Sequence, residues 1–253
     1  MKKSKAALVL VFCLSLCLMA GAAWAHDLWL TCPKAKEGQK LTAVTNLGHD
    51  FPKGDAVDPA ELEGNYVMGS KGKVTLAPGA DKSLVTAQPL AAGSYVVATA
   101  TKPKFFTKSP AGYVQKTKDQ VPEAIKCFRS VKFTKAIVNL GGQAGDVSKS
   151  LGQDLEIVPL ANPASLKVGA ELPVKVLLSG KPLADAEVSA TYAGFSKGKE
   201  KAFNGKTDAK GVANVKLSHA GLWMVKVGHK TPYKDPSKCD VLSKGSVLTF
   251  ELK

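Results

Sequence analysis

The chain is poor in arginine and cysteine and has no second long apolar run. Arg129 is the one arginine among 35 basic residues, so the positive charge is almost wholly lysine, a solvated point charge without the guanidinium fork that reads phosphates and bases. Aromatic residues make up only 7% of the chain and are not interleaved with a basic patch, so nucleic acid is not expected as a partner. Five cysteines in 253 residues are too few for a disulfide-built scaffold. Walker loops, GxGxxG, GxSxG and HExxH are all missing, as is any repeat of solenoid period. The common nucleotide, serine-hydrolase and zinc-protease chemistries therefore lack their signatures.

What is present begins with an export signal. Lys2, Lys3 and Lys5 precede an apolar stretch over residues 8–22, and Ala23-Trp24-Ala25 follows as a small-x-small site. This is the pattern of a secretory leader, residues 1–25, with cleavage expected after Ala25. No later segment approaches the roughly 20 apolar residues of a membrane span, so the mature protein is expected to be periplasmic or otherwise exported, without a span. Lipoprotein processing at Cys17 is not expected, because Leu16 stands where a small residue is needed. Loss of the leader takes three lysines and no acid, lowering the net charge from +14 to +11. The lysine surface should keep the chain in solution and can touch anionic lipid or polysaccharide.

Cys32, Cys127 and Cys239 remain, and in an oxidising compartment one disulfide and one leftover thiol is the default arithmetic. Their pairing is left open. Cys127 with Cys239 is favoured, because Cys32 sits near the mature start, where a thiolate could serve a metal.

The remaining 45% hydrophobic, 22% charged composition, with Gly 23 and Pro 14, is that of a globular chain able to bury its own core. Its pattern is all-β, in two β-sandwich-like halves. In residues 26–151, segments 41–45, 73–76 and 94–100 carry the β-branched and aromatic residues of strands. Pro78-Gly79 and Ala91-Ala92-Gly93 read as turns. One short helix is expected near the middle, within 118–131, and Gly141-Gly142-Gln143-Ala144-Gly145 reads as a linker. In residues 152–253, alternation over 155–160, 172–178, 186–192, 211–217, 222–227 and 247–252 describes an Ig-like sandwich.

Chemistry falls to the four histidines, all of which lie beyond residue 25. Cleavage after Ala25 would make His26 the first residue, placing an α-amine and an imidazole on one residue. Their unperturbed pKa values, near 8 and 6.5, leave both available to a borderline cation around neutral pH, and nitrogen ligands suit nickel, cobalt, copper and zinc. His49 sits in Gly48-His49-Asp50-Phe51-Pro52 at the end of a strand-like run, and His229 closes the strand over 222–227. Loop ends are where ligands usually reside. His26, His49 and His229 are therefore the candidate metal ligands. His219, before Ala220-Gly221, reads rather as a turn residue. Asp27, Asp50, Cys32 and His219 are further ligand or orienting candidates. No HxH or HxxxH pairing exists, so any site must be assembled from distant segments.

His26-Asp27-Leu28-Trp29-Leu30, Gly48-His49-Asp50-Phe51-Pro52, residues 155–163 and 180–188, Thr207-Asp208-Ala209-Lys210-Gly211 and Ala220-Gly221-Leu222-Trp223 resemble a family of exported bacterial proteins. That family, long an uncharacterised domain, is associated with nickel and cobalt uptake of the NikM or NikK type. The resemblance covers essentially the whole mature chain. It implies a non-enzymatic carrier that delivers a divalent metal to a membrane uptake transporter, with its mature N-terminal histidine at His26, its Gly-His motif at His49 and its later histidine at His229. The lysine load and the three mature cysteines depart from it.

Three functions compete. The favoured one is capture of nickel or cobalt, weakening below about pH 6 as protons take the imidazoles. A copper histidine brace with redox activity would use the same first residue, and copper binds such sites readily. The third is a structural or adhesive sandwich, favoured if the three histidines lie more than about 10 Å apart, since metal–nitrogen bonds are only about 2 Å long.

Overall fold

Short alternating apolar segments separated by glycine, proline and aspartate can bury one face only by pairing into sheets, and this chain does so almost throughout. The computed structural model describes residues 26–142, 144–195 and 200–253. The expected leader 1–25, its cleavage point and Cys17 lie outside the described residues. In the first half the strands are β1 (Asp27–Thr31), β2 (Thr42–Asp50), β3 (Lys53–Ala56), β4 (Leu62–Gly69), β5 (Gly72–Pro78), β6 (Ser83–Thr86), β7 (Gly93–Thr101), β8 (Lys104–Ser109), β9 (Gly112–Val114) and β10 (Lys126–Leu140). In the second half they are β11 (Leu155–Pro159), β12 (Glu171–Leu178), β13 (Lys181–Pro182), β14 (Glu187–Tyr192), β15 (Phe203–Lys206), β16 (Val212–Lys216), β17 (Gly221–Pro232) and β18 (Val241–Leu252). The protein is all-β, with two sheets and mostly antiparallel pairing.

The short helix expected within 118–131 is a single 3-10 turn, Lys118–Gln120. Lys126 onward joins β10, where Phe128, Val131, Phe133 and Thr134 are the β-branched and aromatic residues a pleated surface favours. Pairing with β18 and the Cys127–Cys239 disulfide hold that segment extended.

The large sheet runs β1-β2-β6-β5-β4-β7-β10-β18-β17-β14-β15, so hydrogen bonding continues from the first half into the second through the parallel β10–β18 pair. β5 pairs with β4 through Gly72–Thr75 and with β6 through Leu76–Pro78. A strand that changes partners midway turns a sheet corner, and this one folds β6, β2 and β1 back over the face of β10, β18 and β17. The opposite face of those strands is covered by the small sheet of β11, β12, β13 and β16. Trp223, Val225, Leu248 and Phe250 meet Leu155, Ile157, Leu172 and Val174 in the main core. Each such side chain contributes about 1.5–3 kcal/mol by leaving water. Beside that core Lys135 of β10 and Glu156 of β11 form a 2.9 Å ion pair, both side chains only 1% exposed.

Candidate metal-binding site

The site begins with Trp29. Its indole is fully buried, packed on Met224 and Val247, and it lies against the β2–β3 hairpin where only glycine leaves room. A Cβ at Gly54 would come within 2.6 Å of the ring, and one at Gly48 within 3.0 Å. Phe51, in the turn after β2, meets the same indole edge-on at 5.7 Å, and the Phe51–Pro52 peptide bond is cis. The glycine of the Gly-His motif thus makes space for the tryptophan of the first strand, and the two motifs form one packing unit.

That packing sets the register. β1 and β2 are antiparallel with Asp27 opposite Gly48 and Leu28 opposite Leu47. One step further along both strands places His26 opposite His49, on the same face. Their rings lie 4.1 Å apart between centroids, tilted by 32°. β1 is also anchored through its free edge. The Lys132 Nζ donates to the His26 carbonyl at 2.7 Å, and the Thr249 hydroxyl donates to the Leu30 carbonyl.

The electrostatics favour a neutral ring at His26. Partial burial, then the charges of His49 and Lys132, push its pKa below the ordinary histidine value, against the smaller pull of Asp55 and Asp27. A neutral imidazole keeps the lone pair that a nitrogen ligand must offer. The two rings are close neighbours, which makes them the candidate nitrogen donors of this corner.

The other sequence-derived candidates are placed elsewhere. His229 borders the same cleft as His26, but strand alternation puts its side chain on the face of β17 shared with Val225 and Val227. Across the ladder it faces Lys244, which pairs with Asp154. The sheet therefore stands between His229 and the His26–His49 pair. Asp27 lies on the face of β1 opposite to His26 and is held by Lys226 at 2.7 Å. Asp50 ends β2 in the exposed turn, opposite Lys53. Cys32 follows the far end of β1, packed against the first-half core, and burial raises its thiol pKa to about 12. His219 stacks on Tyr192 at 4.5 Å, and its carbonyl accepts from the Trp223 indole. Among the described residues no three His, Cys, Asp or Glu side chains gather closely enough to hold a metal ion by themselves.

Sequence reasoning missed Asp55 and the lysines. Asp55 sits opposite Leu47 through a shifted register in the β2–β3 hairpin, which no spacing rule announces. Lys132, Lys226 and Lys230 come from β10 and β17, yet line the cleft that His26 borders. Their alternation with core residues was visible, but not which face β1 would cover.

Fold and site together define an all-β protein carrying a paired-histidine corner at the mouth of a lysine-lined cleft. The chain belongs to a family described as a domain of unknown function, DUF4198, whose model matches residues 23–231. Both paired histidines, His229 and the Trp29 packing unit fall within the match. No curated protein matches the chain.

Proposed function

We propose that this is an exported protein that captures a divalent transition metal, nickel or cobalt, for transfer to a membrane uptake transporter, and that it performs no catalysis. The observation that carries this is the His26–His49 pair, held at 4.1 Å on neighbouring strands. With cleavage after Ala25, the α-amine of His26 adds a third nitrogen to the same corner. The Cys127–Cys239 disulfide fits an oxidising compartment, and no helix among the described residues is long and apolar enough to cross a membrane. His229, on the other face of β17, is left out of the ligand set.

The test is titration of the processed protein with nickel, cobalt, copper and zinc beside His49→Ala, His229→Ala and a form with one extra alanine before His26. Nickel affinity is expected to fall by at least the roughly 10- to 100-fold typical of a damaged metal shell in His49→Ala and in the extended form, and to persist in His229→Ala. Full affinity in His49→Ala would overturn the site.

A second reading draws on a different cleft. On the other side of His26 a space of about 680 Å³ is lined in part by Phe106, Tyr113 and Phe128, an aromatic surface beside nitrogens that would also hold copper. Copper-dependent peroxide production or cleavage of a polysaccharide would favour this redox function over metal carriage.

A further inference from the structure

The cleft that His26 borders at the start of β1 has a volume of about 1060 Å³, and its charge is the wrong sign for a bare cation. Lys132 rises from β10, Lys226 and Lys230 from β17, and Lys201 and Lys206 from the β15 edge. Lys244 also borders the cleft but is taken by Asp154; against the other five ammonium groups the described residues of the cleft set two carboxylates, Asp27 and Glu187. Asp27 already pairs with Lys226, while Lys132, Lys201, Lys206 and Lys230 make no ion pair among the described residues. The lysines also work against one another. Burial first, and then the charge of Lys226, hold both Lys132 and Lys201 below the ordinary lysine value, with Asp27 opposing.

The floor is flat and hydrogen-bonding. Gly228 and Gly245 face each other across the β17–β18 ladder, and a Cβ on either would meet nothing nearer than 3.8 Å. That space is open and not required by packing. Ser130, Ser189 and Ser243 border it and supply hydroxyl donors. Such a floor under a ring of lysines suits a compact molecule with several carboxylates.

At the mouth, the donor set is incomplete. Two imidazoles and the amine expected at His26 leave coordination positions of nickel or cobalt open to oxygen ligands. Lys132 lies against the backbone of His26 itself, so an aqua dication approaching the pair is repelled by a positive field that attracts a dication wrapped by an acid of larger negative charge.

We propose that the cargo enters as a complex with a small polycarboxylic acid: His26 and His49 take positions on the metal, the acid keeps the others, and its remaining carboxylates lie in the lysine cleft. This rests on the metal-capture reading and names the form in which the metal is recognised.

The test compares nickel chloride, nickel citrate and citrate alone on the processed protein, by calorimetry at low and high salt. Wild type should bind nickel citrate about 10-fold or more tightly than nickel chloride, with the advantage shrinking as salt screens the lysines. Lys206→Glu with Lys230→Glu, two residues outside every ion pair described, should abolish that advantage and leave nickel chloride affinity unchanged or higher. Should citrate merely strip nickel from a protein whose binding still depends on His49, the metal reading stands and this inference fails. An advantage for nickel citrate that survives the double substitution also overturns it. If nickel binds in neither form, both fall together.

Discussion

At the scale of single residues, the two glycines against Trp29, Gly48 of the Gly-His motif and Gly54 of the facing strand, are packing requirements before His49 is a ligand. Gly54→Ala would drive a methyl into the Trp29 indole, 2.6 Å from its nearest atom, with the Leu47 carbonyl 3.0 Å away. Overpacking of this kind costs about 1–3 kcal/mol, and because the same contact sets the β1–β2 register, it should also part His26 from His49. Gly54→Ala is therefore expected to lower both the unfolding midpoint and nickel affinity. A loss of stability with unchanged nickel affinity would separate the packing from the site. The pairing of His26 with His49 could be suspected from sequence because both flank apolar strand segments. Strand parity sets His229 apart from that pair, on the face of β17 shared with Val225 and Val227. In a strand, the side chain of residue 229 and that of 230 point to opposite faces, and nothing in Gly228-His229-Lys230 tells which face β1 will cover.

At the scale of elements, strands were readable wherever alternation was strong. β7, β12, β14, β16 and β17 each contain a segment anticipated from apolar or β-branched runs. β10 was the difficult one. Its beginning follows Pro122 and a 3-10 turn, and its extended state depends on two partners more than 100 residues away in sequence: β18 and Cys239. The Cys127 amide also donates to Asp240 at 2.7 Å, and Lys118 pairs with the same carboxylate. The disulfide closes a loop of 112 residues, and removing such a constraint from the unfolded chain typically costs about 2–4 kcal/mol. Cys127→Ser with Cys239→Ser should thus lower the unfolding free energy by that amount, read as a lower denaturant midpoint. The His26–His49 pair lies on other strands, so metal binding at low temperature should survive. Loss of binding in a variant that remains folded would show that the β10–β18 junction helps position the site.

At the scale of the whole molecule, the two sheets meet through an apolar core and, beside it, a buried charge pair. Lys135 projects from the large sheet and Glu156 from the small one. Glu156 is further held by Ser150 and by the amides of Leu151 and Gly152. Burial alone would raise the Glu156 pKa, but the Lys135 ammonium and these hydrogen bonds outweigh it and leave the carboxyl below the ordinary glutamate value. The sign follows from linkage. A carboxyl with a folded pKa below its unfolded value of about 4.3 contributes stability in full above that value and loses it as pH falls through the folded pKa. Wild type should therefore lose thermal stability as the pH drops below about 4.3. Glu156→Gln, which leaves the Lys135 charge buried without its partner, should cost about 3–5 kcal/mol near neutral pH and show a shallower decline in the acid range. Replacing both partners by apolar residues, Lys135→Met with Glu156→Leu, should recover much of that cost, since a buried pair is worth little against well-packed hydrophobic side chains. An acid profile for Glu156→Gln as steep as that of wild type would place the titrating group elsewhere. Full stability of Glu156→Gln at neutral pH would mean that the two sheets are held by their apolar core alone.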